Sequence, residues 1–130
     1  MFHPFRSSRD LAAAAVLALA LWGPISLLGC GSAEANGAGA VVRATGTEAR
    51  SLVSAGATLL DVRSQEEFDA RHLDGATLIP VDQLEGRIAE VPRDHPVVVY
   101  CQSGGRSASA ARMLAAAGYE VHDLGGIGNW

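Results

Sequence analysis

Five short apolar stretches recur along the chain, and between them lie longer segments whose apolar positions return at helical spacing. Val97-Val98-Val99-Tyr100 is the purest of the five: four β-branched or aromatic residues with no charged position among them, the pattern of a strand buried on both faces of a parallel sheet. Val41 to Ala44, Thr58 to Val62, Ala76 to Ile79 and Glu120 to Leu124 predict four more strands. The intervening pattern predicts helices over Thr47 to Ala55 with Leu52 and Val53 inward, from Ser64 with Phe68 inward, over Asp82 to Ala89, and from Ser107 through Ala117. The boundaries have chemical causes. Ser64 and Glu67 stand at capping-box spacing, Gly56 and Gly118 supply stops, and Pro80 ends the strand before the third helix. Strands alternating with helices predict an α/β domain with a parallel sheet covered on both faces, and a ligand site at the carboxyl edge of that sheet.

The first forty residues depart from this pattern. Arg6 and Arg9 precede an apolar run from Leu11 to Leu28, which ends in Leu27-Leu28-Gly29-Cys30. A basic opening, an apolar middle and a small residue before the break read as a secretory signal. Leu-x-Gly-Cys resembles the lipobox of bacterial lipoproteins, which implies lipidation at Cys30. An uncleaved membrane anchor is the alternative, since the run is near the lower limit for spanning a bilayer, but Gly23-Pro24 inside it speaks for a processed signal. Gly31 to Ala40 holds nothing that could join a core and reads as a tether with a reach of about 15 to 20 Å. The expected organisation is a signal peptide over 1–29, the lipidated cysteine and tether over 30–40, and one domain over 41–130. That domain would face the periplasm or exterior of a bacterial cell envelope, held to a membrane by its lipid.

Composition narrows the chemistry. The 130 residues are 48% hydrophobic but only 5% aromatic, so Val, Leu, Ile and Ala must build the core. All ten basic residues are arginine; without Arg6, Arg9 and Asp10, eight arginines face thirteen acids, a formal charge near −5. Nothing in that balance draws the domain to nucleic acid. With Cys30 lipidated, Cys101 is the one cysteine left, which excludes an intramolecular disulfide and dithiol redox chemistry. His72, His95 and His122 are dispersed and predict no metal site.

The chemistry concentrates after the central strand, in Cys101-Gln102-Ser103-Gly104-Gly105-Arg106-Ser107. Ser103, Gly104 and Gly105 remove side-chain bulk, so successive N–H groups can turn toward a common centre as an anion-binding nest. The helix that follows presents its amino end to the same point. Both effects, with Arg106, favour a charged sulfur and predict a Cys101 pKa below the ordinary value of about 8.5. That is the description of a thiolate nucleophile.

This segment resembles the active-site loop of single-domain rhodaneses, of pattern C-x-S-G-x-R-S. Asp61-Val62-Arg63, Phe68, His72, Gly75-Ala76, Ile79-Pro80 and Gly125-Gly126 with Trp130 follow the order and spacing of that family, so the resemblance spans about Val41 to Trp130. It implies a three-layer α/β/α fold on a five-stranded parallel sheet. It also implies a sulfurtransferase that passes a sulfane sulfur from thiosulfate or a persulfide donor to cyanide or a thiol. Cys101 would carry the sulfur as a covalent persulfide, with no other cofactor. Gln102, Ser103, Gly104, Gly105, Arg106 and Ser107 would surround the substrate together with Arg63, supported by Asp61 and His72. Arg106 could ligate the substrate or brace the loop; Arg63 could pair with Asp61 or face the pocket. His72 is expected to be buried behind the loop, and Trp130 to cap the pocket side or pack in the core. Arg71 departs from the family by replacing the glycine usual before His72. A monomer is expected.

Two other readings use the same residues. Phosphatases and arsenate reductases on this fold have five residues between cysteine and arginine, because a tetrahedral oxyanion needs a wider ring of amides; here there are four. A persulfide carrier or sensor without turnover would also keep the cysteine. For the amino-terminal segment the expectation is direct: a bacterium expressing the chain should incorporate labelled palmitate into it, and Cys30→Ser should abolish that label. Label retained in the variant would remove Cys30 as the lipidation site.

Overall fold

The computed structural model describes residues 39–130. The signal read in residues 1–29, Cys30, and the tether up to residue 38 lie outside the described residues. The elements run β1 (Val41–Arg43), α1 (Gly46–Ser54), β2 (Thr58–Asp61), α2 (Gln65–Ala70), β3 (Thr77–Leu78), α3 (Val81–Arg87), β4 (Val97–Cys101), α4 (Gly105–Ala116) and β5 (Val121–Gly126). A 3₁₀ turn over Ile88–Glu90 extends α3, and another over Ile127–Asn129 follows β5. The five strands form one parallel sheet in the order β1-β5-β4-β2-β3, so the α/β class and the strand count expected from the sequence both hold.

Local chemistry accounts for the element starts. Thr45 and Glu48 form a capping box at α1, as Ser64 and Glu67 do at α2: each hydroxyl accepts the third peptide N–H and each carboxylate reaches back to the cap. Because Thr45 is the cap, α1 begins at Gly46, one residue before the expected Thr47. The helix after the cysteine begins at Gly105 rather than Ser107, because Gly104 takes a φ of +106° and turns the chain into the helix early.

The central strand shows why the sheet needs two covers. Val97, Val99 and Cys101 point to one face, where they pack with Leu60, Val62, Ile79, Leu84 and the α4 residues Ala110, Ala111 and Leu114. Val98 and Tyr100 point to the other, against Ala49 of α1, Leu59, Leu73, Leu124 and Ile127. Period-two alternation within a strand that has no polar position is what lets one short stretch serve both layers. Phe68 belongs to neither layer. It is half-buried in α2, which has no buried residue, and its ring stacks on His72 with centroids 3.8 Å apart, so the inward placement expected from the sequence does not occur. Six residues give α2 too short a face to reach the sheet.

Chain order places the site. From β4 the chain crosses through α4 to β5 on one side, while from β2 it crosses through α2 to β3 on the other. The loops after β4 and β2 therefore diverge, leaving a crevice beyond the carboxyl ends of the two neighbouring strands. β5 sets the floor. Its register to β4 slips between Val99 and Tyr100, so that Tyr100 faces Gly125 and Cys101 faces Gly126. Gly125 has a φ of +81° and its N–H donates to Asp123 Oδ1 at 2.9 Å, which holds the bulge. A Cβ on Gly126 would stand 2.8 Å from the Gln102 carbonyl oxygen, whereas one on Gly105 would meet open space. Gly126→Ala should therefore lower stability by about 1–3 kcal/mol and displace the cysteine loop, while Gly105→Ala should be neutral or stabilising by up to about 1 kcal/mol. Chemical denaturation of the two variants checks this; an unchanged midpoint for Gly126→Ala would show that the contact yields freely.

Candidate active site

Cys101 is the last residue of β4 and is 1% exposed. Strand alternation sends its side chain to the face covered by α4, directly before the loop that starts that helix. A helix begins with N–H groups that have no partner within it, and a serine, threonine or aspartate normally supplies the first acceptor. Gly104, the cap residue of α4, has no side chain to offer. The sulfur takes that place: the Gly104 N–H donates to Cys101 Sγ at 2.9 Å.

The charge state of the sulfur follows from two opposed effects. Burial pushes the thiol up; against it, the Ser107 N–H and hydroxyl and the N–H groups of Gly104 and Ser103 favour the thiolate, and the net result is a pKa below the ordinary cysteine value. Ser107 is fully buried and its hydroxyl stands 3.1 Å from the Gly104 carbonyl, so its one proton either pins the loop through that carbonyl or turns to the sulfur. Ser103 and Gly105 are exposed, so the loop opens to solvent on its outer side.

Arg106 does not face this ring. Its Nη1 and Nη2 donate to the two carboxylate oxygens of Glu67 at 2.7 and 2.8 Å, a two-pronged ion pair that ties the first turn of α4 to α2. Arg106, with the back-bond from the Ser64 N–H, holds the Glu67 carboxyl at about 2. The pair thus stays charged through the range in which carboxylates ordinarily take up protons. Of the two roles open for Arg106, the geometry is that of a brace. Glu67 thereby joins the site, a role its sequence position does not announce. Its capping-box spacing was visible, but nothing in one dimension showed that the same carboxylate would meet an arginine 39 positions on.

Arg63 is also committed. It is 3% exposed; its Nε donates to both oxygens of Asp61, its Nη2 to Asp61 Oδ2 at 2.7 Å and to the Arg71 carbonyl at 2.6 Å, and its Nη1 to Gln102 Oε1 at 3.4 Å. Its guanidinium lies 5.5 Å over the Tyr100 ring. Tyr100 in turn accepts the Leu73 N–H through its hydroxyl, and burial is the main cause that raises its pKa to about 12. One buried ion pair therefore joins the end of β2, the loop at Arg71 and the cysteine loop. Arg71 itself has an extended φ of −169°, which any residue adopts, so the missing glycine distorts nothing.

His72 is not buried behind the loop, as the resemblance implies. It is exposed, stacked on Phe68, with Nδ1 2.9 Å from the Phe68 carbonyl, just past the end of α2 at Ala70. Trp130 is half-buried against the α1 face, with Arg50 5.9 Å over its ring, and packs in the core. The structure gathers Ser103, Gly104 and Ser107 at Cys101 and joins Asp61, Arg63 and Gln102 beside them, while Arg106 faces Glu67 and His72 lies apart.

Comparison with known proteins agrees with this geometry. The family model "Rhodanese-like domain" matches residues 45–130. The chain is 44% identical over 77 residues to the probable adenylyltransferase/sulfurtransferase MoeZ of Mycobacterium tuberculosis, covering 55% of this chain and 19% of that protein. To the thiosulfate sulfurtransferase GlpE of Stutzerimonas stutzeri it is 35% identical over 85 residues, covering 64% of this chain and 78% of that one. The crystal structure of an E. coli rhodanese with anions superposes with a TM-score of 0.54 at 32% identity, over 58% of this chain and 92% of that one. With the match running from Thr45 to Trp130, the chain belongs to the rhodanese-like domain family.

Proposed function

We propose that this chain is a sulfurtransferase in which Cys101 accepts a sulfane sulfur as a persulfide and passes it to a thiophilic acceptor. The observation that carries this reading is the sulfur in the capping position of α4, buried at the strand end and bonded by the Gly104 N–H at 2.9 Å. With thiosulfate as donor, the thiolate attacks the outer sulfur. The new bond joins Sγ to that sulfur, the bond to the sulfonate sulfur breaks, and sulfite leaves with the electron pair. The negative charge moves one atom outward, from Sγ to the terminal sulfur, and the N–H groups of Ser103, Gly104 and Ser107 remain beside it. Cyanide or a thiolate then attacks the terminal sulfur, and Cys101 departs as the thiolate it began as. GlpE bears the name of this activity, which supports the reading at the level of the family.

Arg106 argues against phosphate or arsenate chemistry. A tetrahedral dianion needs a guanidinium in its ring, and both terminal nitrogens of Arg106 are held by Glu67. The residues that do the work are main-chain donors and one sulfur, which suits a small donor and a monovalent persulfide. We place the reaction in the cell envelope, on a domain tethered through Cys30, on the strength of the signal and lipobox pattern over residues 1–30 alone.

Purified protein treated with thiosulfate should gain the mass of one sulfur on Cys101 and lose it to cyanide as thiocyanate. Cys101→Ser should reduce transfer by about a thousandfold or more, as loss of a sole nucleophile does, with the fold intact. Retained transfer, or turnover of an aryl phosphate in place of the sulfur gain, would overturn the assignment. The depressed pKa fixes the pH dependence: the reactive thiolate is present above it and lost as pH falls through it. The rate of Cys101 alkylation by iodoacetamide should therefore level off below the pH of about 8.5 at which a free cysteine titrates. An inflection at or above that value would show that the N–H groups do not hold the charge.

A further inference from the structure

The two guanidinium groups tied to the cysteine loop are both cancelled, Arg63 by Asp61 and Arg106 by Glu67. The N–H groups around Cys101 supply dipoles but no net charge, so with its sulfur ionised the site carries one negative charge. An incoming thiosulfate dianion is repelled by it. Arg71 stands beside this arrangement with its own charge uncommitted. It is exposed, and its side chain has no hydrogen-bond or ion-pair partner among the described residues. On the persulfide reading above, we infer that Arg71 draws the sulfur donor to the cysteine loop and makes this chain select donors by their negative charge.

The backbone of Arg71 fixes its place. Arg63 Nη2 donates to the Arg71 carbonyl at 2.6 Å and Arg63 Nη1 donates to Gln102 Oε1 at 3.4 Å, so a single planar guanidinium spans the two residues. The Arg71 carbonyl therefore lies within about 8 Å of the Gln102 amide, next to Cys101, a gap comparable with the length of an arginine side chain.

The structure gives the Arg71 side chain no other task. Every other arginine among the described residues has a partner: Arg43, Arg63, Arg87 and Arg106 pair with carboxylates, and Arg50, Arg93 and Arg112 bond Thr47, the Ala117 carbonyl and Ser109. Asp69 and Asp74 are near Arg71 in sequence, but Asp69 accepts the Gln65 amide at 2.8 Å and neither pairs with Arg71. The extended backbone at Arg71 accepts any residue, so local conformation does not call for arginine either. An exposed, unpaired cation beside an anionic nucleophile acts over a distance, by raising the local concentration of anions.

The test follows by mass how fast the full chain gains sulfur from limiting thiosulfate and from limiting methanethiosulfonate. Both donors hand over the same outer sulfur. The Cys101 thiolate bonds to it, its bond to the oxidised sulfur breaks, and sulfite or methanesulfinate leaves with the electron pair. The donors differ in charge, thiosulfate being a dianion and methanethiosulfonate a monoanion. At low salt Arg71→Gln should slow thiosulfate about fourfold and methanethiosulfonate about twofold, the Coulomb scale of one charge acting across about 8 Å of water on a dianion and on a monoanion. Both losses should vanish in about 0.5 M salt, where screening shortens the reach of a charge to about 4 Å, and Arg71→Lys should restore the parent's preference. Equal losses for the two donors, losses that persist in high salt, a lysine variant no faster than the glutamine one, or no loss at all would overturn the inference. A parent chain that gains sulfur from neither donor counts against the Cys101 reading instead.

Discussion

A sulfur atom completes the amino end of α4, and the rest of the site is arranged so that it can. Orphan N–H groups at a helix start must find an acceptor, and a glycine cap supplies none, so the thiolate and the helix satisfy one another. The stabilisation depends on direction as much as on distance. It holds only while Gly104 keeps its left-handed turn, Ser107 pins the loop from within, and Gly126 leaves room for the Gln102 carbonyl behind it.

Charge enters the site through fixed dipoles rather than through mobile side chains. Arg63 and Arg106 are both bound to carboxylates, one pair buried and one half-exposed, and each joins segments far apart in sequence. The buried pair is costly to desolvate and gains its worth from saturation: Asp61 accepts from both the backbone and the side chain of Arg63, and the guanidinium reaches Arg71 and Gln102 as well. Among the described residues no buried side-chain nitrogen or oxygen is left without a partner. Such a network spends its donors on geometry and leaves the main-chain N–H groups of the cysteine loop fixed in position.

The cavity between α2, α3 and the first turn of α4 shows the other side of that commitment. Arginines on its wall would suggest an anion site if each were counted as free. Counted with their carboxylates, they are neutral. The sign of a pocket's charge is thus a property of its pairs.

Much of this was legible in the chain. Four apolar residues before a cysteine, two glycines and a serine after it, and an apolar run closing at Gly118 contain the strand, the nest and the helix, because each depends on neighbours within a few positions. The capping box at Ser64 was legible for the same reason. What only the tertiary structure decided involves partners far apart in sequence: which carboxylate takes Arg106, that Arg63 spends its donors on Asp61, Arg71 and Gln102, and that the β5 register slips to put Gly126 behind the loop. It also decided that His72 turns outward. Residue type and spacing determine backbone preference and burial over one or two turns, whereas the choice among several arginines and acids depends on which of them the packed sheet brings within 3 Å, and no local pattern carries that distance.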